Sequence, residues 1–190
     1  MHRKPLLELL ERYLARHPDE QLSVDHVRQF VRANPDCFLR SCVDGHVTGS
    51  AWILSHDHSS FLLTHHAKLG RWLQLGGHAD GDADPAAVAL REAREESGME
   101  TFALASANGV ALPLDIDVHL IPARASEPAH LHHDIRYLLV ADAGQPLRVS
   151  NESHELGWFP RARASEVLED ESLLRMFRKV ERLLREGALS

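Results

Sequence analysis

The chain has 190 residues, of which 44% are apolar and 26% charged, and this length fits one folded domain. Its 21 basic and 28 acidic residues give a net charge of −7, which disfavours general binding to nucleic-acid polymers and anionic membranes. The longest apolar runs, such as 137–141, are far shorter than the roughly 20 residues of a membrane-spanning helix. Cys37 and Cys42 have neither redox-motif nor zinc-ribbon spacing. We therefore expect reduced thiols and a cytoplasmic location.

Residues 1–42 are predicted to form an N-terminal helical extension. Leucines at helical spacing follow Pro5, a favoured first-turn residue, and Pro18 ends this first helix. Ser23 is expected to cap a second helix that ends at Asn34.

Residues 43–160 are predicted to form a core of strands around one helix. The expected strands are 47–54, 60–65, 71–75, 114–121 and 133–140. Gly76 and Gly77 are expected to stop the third strand, and 122–131 is expected to be a loop. A helix is predicted over 85–97, with Asp84 as its cap and Gly98 as its stop.

Residues 161–190 form a predicted C-terminal helical region with an apolar stripe. The order of elements, helices, then strands around one helix, then helices, indicates an α+β or mixed α/β sandwich. We expect one domain over 1–190.

The segment 77–99 carries an unusual pattern of acidic residues. On a helix, Glu92, Glu95 and Glu96 fall within about 100° of arc. Like charges at this spacing destabilise a helix, and the stripe lies toward the C-terminal end, where the helix dipole disfavours anions. A divalent cation on the stripe would explain it, and oxygen ligands suit magnesium or manganese. The alternative is a solvated face with Arg91 and Arg94 as ion-pair partners.

This segment resembles the Nudix box, the signature of the Nudix hydrolase superfamily. The family pattern is Gly, five residues, Glu, seven residues, Arg-Glu, an apolar residue, any residue, Glu-Glu, any residue, Gly and an apolar residue. The residues in register are Gly77, Arg91, Glu92, Ala93, Glu95, Glu96, Gly98 and Met99. Ala83 stands where the pattern has Glu, and Asp82 or Asp84 is expected to replace that Glu in part. The resemblance extends more loosely from about residue 45 to residue 159. Within the family, the chain resembles a subgroup with a Gly-Gly-His start of the box and a histidine-rich second half.

The resemblance implies a Nudix fold, a mixed-sheet α/β/α sandwich, and a pyrophosphohydrolase that cleaves a nucleoside diphosphate linked to another moiety. It implies Mg²⁺ or Mn²⁺ on Glu92, Glu95 and Glu96, with a further backbone ligand around Gly76 and Gly77. Arg91 is expected to orient the glutamates. In such enzymes a carboxylate takes the proton of the attacking water. It is supplied either by a box glutamate or by a later residue, for which the candidates here are Glu152 and Glu155.

Histidines are the second unusual feature, with 14 in the chain. Asp117 and His119 are expected on one face of a strand, and a nearby loop carries three more histidines. The candidate set for a second metal site, or for phosphate contacts, is His78, Asp117, His119, His130, His132 and His133. Simple hydrogen bonding or solvent exposure is the alternative. Lys68 and Arg71 precede the box and are candidates for a substrate phosphate.

Three functions remain open from the sequence. The first is a metal-dependent hydrolase with a small-molecule nucleotide derivative as substrate. The second is a Nudix module that binds a nucleotide with little or no turnover, because Ala83 departs from the pattern. The third is an enzyme similar to isopentenyl diphosphate isomerases, which have a histidine-rich metal site but also a cysteine where this chain has 75–77. A homodimer is left open.

Overall fold

A computed structural model of the chain describes residues 2–67, 69–107, 110–124, 128–150 and 153–189. Its helices are α1 (Lys4–Leu14), α2 (Gln21–Ala33), α3 (Pro85–Ser97), the four-residue α4 (Ala164–Val167) and α5 (Glu171–Arg185). Its strands are β1 (Gly45–Leu54), β2 (Ser60–His66), β3 (Arg71–Leu73), β4 (Leu75–His78), β5 (Phe102–Leu104), β6 (Ser106–Ala107), β7 (Val110–Ala111), β8 (Asp115–Ile121), β9 (His130–Ala141) and β10 (Ser153–Pro160).

Within the described residues, eight strands form one mixed sheet, and β6 and β7 pair separately. The central path is β10-β2-β1-β9-β5, with β3 on β2, β4 on β1 and β8 on β9. The β1 and β9 strands run parallel and pair over ten residues, from Gly45 opposite Leu131 to Leu54 opposite Val140. Strands far apart in the sequence are therefore brought into register at the centre of the sheet.

The alternation of side chains along β1 separates two apolar cores. Val47, Ala51 and Ile53 belong to the core that includes α1, α2 and α3, whereas Trp52 and Leu54 belong to the core that includes α5. Helices therefore cover both faces of the sheet. This arrangement confirms the predicted α/β/α sandwich.

Helix α3 approaches β1 closely at Gly49. A Cβ atom at this position would lie 2.7 Å from the carbonyl oxygen of Pro85 and 2.9 Å from the Cβ of Val88. Since real Cβ atoms do not come this close to backbone, only glycine allows the observed packing. The contact holds the start of α3 directly against the central strand.

Several predicted boundaries are wrong. Ser23 lies inside α2 instead of capping it. Gly76 and Gly77 lie inside β4, because the predicted third strand is split into β3 and β4, which pair with different neighbours. The predicted loop at 122–131 ends earlier, since β9 begins at His130. Among the described residues, no helix is long and apolar enough to cross a membrane.

Candidate active site and histidine group

The ends of α3 are fixed by the two residues that the sequence predicts. Asp84 Oδ1 accepts hydrogen bonds from the backbone N–H groups of Ala86 (3.0 Å) and Ala87 (3.4 Å). Gly98 adopts a left-handed conformation with φ of 71° and ends the helix. The helix therefore spans 85–97 as predicted, and the helical spacing of the acidic residues holds.

Two of the three box glutamates (Glu92, Glu95 and Glu96) pack against the backbone of β4. The N–H of Gly76 donates to Glu96 Oε1 at 3.1 Å, and Glu96 is only 8% exposed. A Cβ atom at Gly77 would fall 2.4 Å from Glu92 Oε2, so the missing side chain makes room for this carboxylate. The two glycines thus let these carboxylates approach the strand.

Arg91 bridges the helix and the strand. Its Nη2 donates to the carbonyl oxygen of His78 at 2.7 Å and to Glu92 Oε1 at 2.9 Å. Its Nε lies 4.0 Å from Oε1 of Glu95, whose side chain is 64% exposed. These contacts are suited to the orienting role expected of Arg91.

The donor set at this position suits a hard divalent cation. It consists of three carboxylates on one helix face and the backbone of two glycines, and magnesium and manganese prefer oxygen ligands of this kind. The alternative of a solvated face fits poorly, because the Glu92 side chain is 15% exposed and Glu96 is buried. The Nε of Arg94 donates to the carbonyl of Glu100 at 2.9 Å.

The acidic side chains on either side of Ala83 accept hydrogen bonds from nearby backbone N–H groups. Asp82 Oδ1 accepts from the N–H of Asp84 at 2.9 Å, and Asp84 caps the helix. Ala83 itself packs on the apolar core. The expectation that either aspartate replaces the missing box glutamate gains no support from these contacts.

Four candidates remain, two for the carboxylate that accepts a proton and two for contacts with a substrate phosphate. Glu155 is exposed on β10 and pairs with His65 of β2. Arg71 lies on β3, 3.5 Å from Asp170 Oδ2. Lys68 and Glu152 fall outside the described part of the chain.

Asp117 belongs to a largely buried ionic cluster between the sheet and α5. We call Asp115, Asp117 and Asp134 the aspartate group. Arg136 donates to all three, at 3.2, 3.0 and 2.8 Å. Further bonds come from Arg175 and Lys179 of α5. These contacts tie α5 to β8 and β9, and they occupy the Asp117 carboxylate.

A group of five histidines lies on one face of the sheet in the described residues. The histidine group consists of His46, His78, His119, His130 and His132, whose rings lie 4.8–5.5 Å from at least one neighbour, centroid to centroid. The sequence did not single out His46. The sequence feature that could have identified His46 is the alternation of polar residues along β1, because this alternation places His46 on the sheet face that carries His132.

His133 does not join the histidine group. It is fully buried and stacks on Phe30, with ring centroids 3.8 Å apart and planes 10° apart. Because side chains alternate along β9, His133 points to the opposite face from His132. His130 and His132 also lie on β9, whereas the sequence predicted a strand only from His133 onward.

Burial keeps two members of the histidine group neutral at pH 7. Desolvation, with the neighbouring Arg40 and His46, lowers the pKa of His78 to about 4. Desolvation and the surrounding histidines, His78 first, lower the pKa of His132 to about 2. Neutral imidazole is the form that binds metal ions.

A cavity of about 370 Å³ lies between α5 and residues 105–106 and 112–114. Its described lining includes Arg16, Lys179 and Arg182 and contains no box glutamate and no member of the histidine group. The cavity is therefore separate from both.

Comparison with known proteins identifies the class. The fold and the glutamate helix are those of a Nudix protein, and the family model described as NUDIX domain matches residues 45–179. The chain belongs to this family, the Nudix hydrolases. The match begins at the first residue of β1, so α1 and α2 precede it.

Solved structures share the fold at low sequence identity. A NUDIX-family hydrolase from Clostridium perfringens has a TM-score of 0.58 and 21% identity, covering 73% of this chain and 97% of that chain. A C. elegans Ap4A hydrolase has a TM-score of 0.58 and 16% identity, covering 74% and 98%. The E. coli dihydroneopterin triphosphate pyrophosphohydrolase has a TM-score of 0.50 and 12% identity, covering 70% and 92%. No curated protein matches the sequence significantly.

Proposed function

We propose that the chain hydrolyses a diphosphate linkage in a nucleoside diphosphate derivative, with Mg²⁺ or Mn²⁺ held by Glu92, Glu95 and Glu96. The observation that carries this proposal is the seating of Glu92 and Glu96 against the backbone of Gly76 and Gly77. A solvated acidic helix needs no such contact, whereas a metal site needs carboxylates and backbone oxygens close together.

The box residues divide into positioning and reacting groups. Arg91 and the two glycines hold Glu92 and Glu96 in place. When bound, a divalent cation lowers the pKa of a water molecule and neutralises diphosphate oxygens. A carboxylate must accept the proton that the attacking water loses. Glu95 is our first candidate because its side chain is the exposed one of the three, and Glu155 is the second.

The substrate class rests on the family and on the names of structural neighbours. One neighbour acts on Ap4A, and another is a dihydroneopterin triphosphate pyrophosphohydrolase. Both names point to a phosphoanhydride attached to an organic group. Together with the net negative charge, this favours a small-molecule nucleotide derivative over a nucleic-acid polymer. A cytoplasmic location and a homodimer stay predictions.

A substrate screen with matched variants tests the proposal. Nucleotide sugars, dinucleotides and nucleoside triphosphates are incubated with Mg²⁺ or Mn²⁺, and released monophosphate or phosphate is measured. On the best substrate, Glu96→Gln and Glu95→Gln are each expected to lower turnover by about 10²–10⁴-fold. Glu100→Gln, just beyond α3, is the control and keeps wild-type turnover. Glu155→Gln decides between the two candidate bases.

Full turnover in both box variants would show that the metal helix is assigned wrongly. Circular dichroism must show that the variants are folded, so that lost turnover reports on the site.

The second candidate function is a module that binds nucleotides without cleaving them. It is favoured by Ala83 in place of the box glutamate and by the local hydrogen bonds of Asp82 and Asp84. Measurable nucleotide binding in calorimetry, with no turnover on any substrate of the screen, would favour this module.

One structural feature, the histidine group, is similar to the histidine-rich metal site of the isomerase alternative. The chain has glycines at 76 and 77, where isopentenyl diphosphate isomerases have an active-site cysteine nearby, and Cys37 and Cys42 are both buried before β1. Proton exchange into isopentenyl diphosphate, measured in the same screen, would support it.

A further inference from the structure

The histidine group is assembled by strand pairing, which places imidazoles from four strands side by side. His46 of β1 lies in register with His132 of the parallel strand β9. His119 of β8 lies in register with His132 from the other side. His130 precedes His132 by two residues and so shares its face. His78, on β4, lies opposite Thr48, two residues from His46.

Three of these side chains converge closely enough to share one ion. The ligating atoms of His46, His130 and His132 all lie within 4.8 Å of one another. The Nε2 atoms of His46 and His132 are 3.1 Å apart. Two zinc–nitrogen bonds of 2.0–2.1 Å at a tetrahedral angle separate their nitrogens by about 3.3 Å. The spacing of this pair is therefore close to that of two ligands on one ion.

The outer nitrogens of two members have oxygen acceptors. His130 Nδ1 lies 2.9 Å from the carbonyl oxygen of Pro128, and His119 Nδ1 lies 3.0 Å from Asp117 Oδ2. Since these oxygens only accept, each Nδ1 carries a proton, and Nε2 is the nitrogen left to bind an ion. Histidines that bind metals make this outer hydrogen bond, which fixes the tautomer and ring orientation.

The chemistry of the ligands sets this group apart from the box glutamates. The box offers oxygen donors, which suit Mg²⁺ and Mn²⁺. The histidine group offers imidazole nitrogens, which suit Zn²⁺, Cu²⁺, Ni²⁺ and Co²⁺. The two sets meet on β4, where His78 follows Gly76 and Gly77 directly.

We infer that His46, His130 and His132 form a second metal site, separate from the box, that binds a divalent transition-metal ion of the zinc type. The rings of His78 and His119 border the site, so that one of them could supply a fourth nitrogen. Compared with the set predicted from the sequence, the site gains His46 and loses Asp117 and His133. It does not depend on the proposed hydrolase activity.

Cobalt binding tests the site directly. The full-length protein is stripped with a chelator and titrated with Co²⁺ in excess Mg²⁺, and visible absorption reports nitrogen ligation. Wild type is expected to bind one equivalent, and Zn²⁺ is expected to displace it. His130→Gln and His132→Gln are each expected to weaken cobalt binding by at least about 100-fold. His56→Gln, on the exposed β1–β2 turn, and Glu96→Gln, in the box, are the controls and leave cobalt binding unchanged.

Three results would overturn the inference: no saturable cobalt or zinc uptake by wild type, wild-type cobalt affinity in both histidine variants, or loss of cobalt binding in Glu96→Gln alone. Circular dichroism of each stripped variant checks folding. If His132→Gln does not fold, His130→Gln, at the first residue of β9, decides the matter.

Discussion

The fold surrounds two groups of three carboxylates differently. The box glutamates on α3 contact the backbone of β4 and the guanidinium of Arg91. The aspartate group on β8 and β9 meets three cationic side chains, those of Arg136, Arg175 and Lys179. Two acidic clusters of equal size therefore contact different groups of the protein.

The difference teaches how to tell a structural acidic cluster from a metal site. A buried carboxylate is tolerated when a buried cation and hydrogen bonds compensate it. The aspartate group is compensated by buried cationic side chains and links α5 to the sheet. It therefore does not require a further cation. The box glutamates lie against two glycines of β4 on one helix face, and their carboxylates are the oxygen ligands that a hard divalent ion prefers.

Removing an aspartate from the compensated group should have the largest effect on stability. Asp115 is fully buried and accepts from Arg136, Arg175 and Lys179. We expect Asp115→Ala to lower the free energy of unfolding by about 3–5 kcal/mol, because it leaves buried cations without their partner. Urea unfolding measures the change.

The matched variant in the other group is Glu95→Gln. Its side chain is exposed, so we expect a change within about 0.5 kcal/mol in metal-free buffer. Equal losses in the two variants would remove the distinction between the groups.

A methyl group on Gly77 should damage the box and spare the aspartate group. The new Cβ would lie 2.4 Å from Glu92 Oε2, so the carboxylate must move. Displacement of a site group by about 1 Å costs up to about 100-fold in rate, and we expect Gly77→Ala to lower turnover by about 10–100-fold. Steady-state kinetics measures this loss. Unchanged turnover would mean that the seating of Glu92 on β4 has no part in the reaction.

Acid should weaken the aspartate group in a defined pH range. Burial alone would raise the pKa of Asp117, but the hydrogen bond with His119 and the charges of Arg136 and Arg175 outweigh it and hold the pKa well below its usual range. The stabilisation is therefore present above the unfolded pKa of about 4 and is lost as the pH falls below it.

The free energy of unfolding of wild type is expected to fall between about pH 5 and pH 2. In Asp117→Asn, we expect this fall to be smaller by on the order of 2 kcal/mol. Parallel acid profiles in the two proteins would contradict the lowered pKa of Asp117.

Local signals predicted the glutamate helix well. Asp84, Pro85 and Gly98 define its ends through caps that depend only on neighbouring residues, and the spacing of the glutamates then follows. The family resemblance carried by this segment agrees with the match over residues 45–179.

Contacts between strands that are distant in the chain could not be predicted from the sequence. His46 and His132 are 86 residues apart, and only the pairing of β1 with β9 makes them neighbours. The pairing of β8 with β9 places Arg136 beside Asp117, a residue that the sequence predicted as a candidate metal ligand. The glycines at 76 and 77 read locally as a stop, yet pairing with β1 keeps them in a strand.

A manganese anomalous difference map from a crystal of the protein tests the central claim most directly. The account predicts a peak beside Glu92, Glu95 and Glu96 at the backbone of Gly76 and Gly77, and none at the aspartate group. The absence of a peak at the glutamate helix, or a peak at the aspartate group in its place, would contradict it.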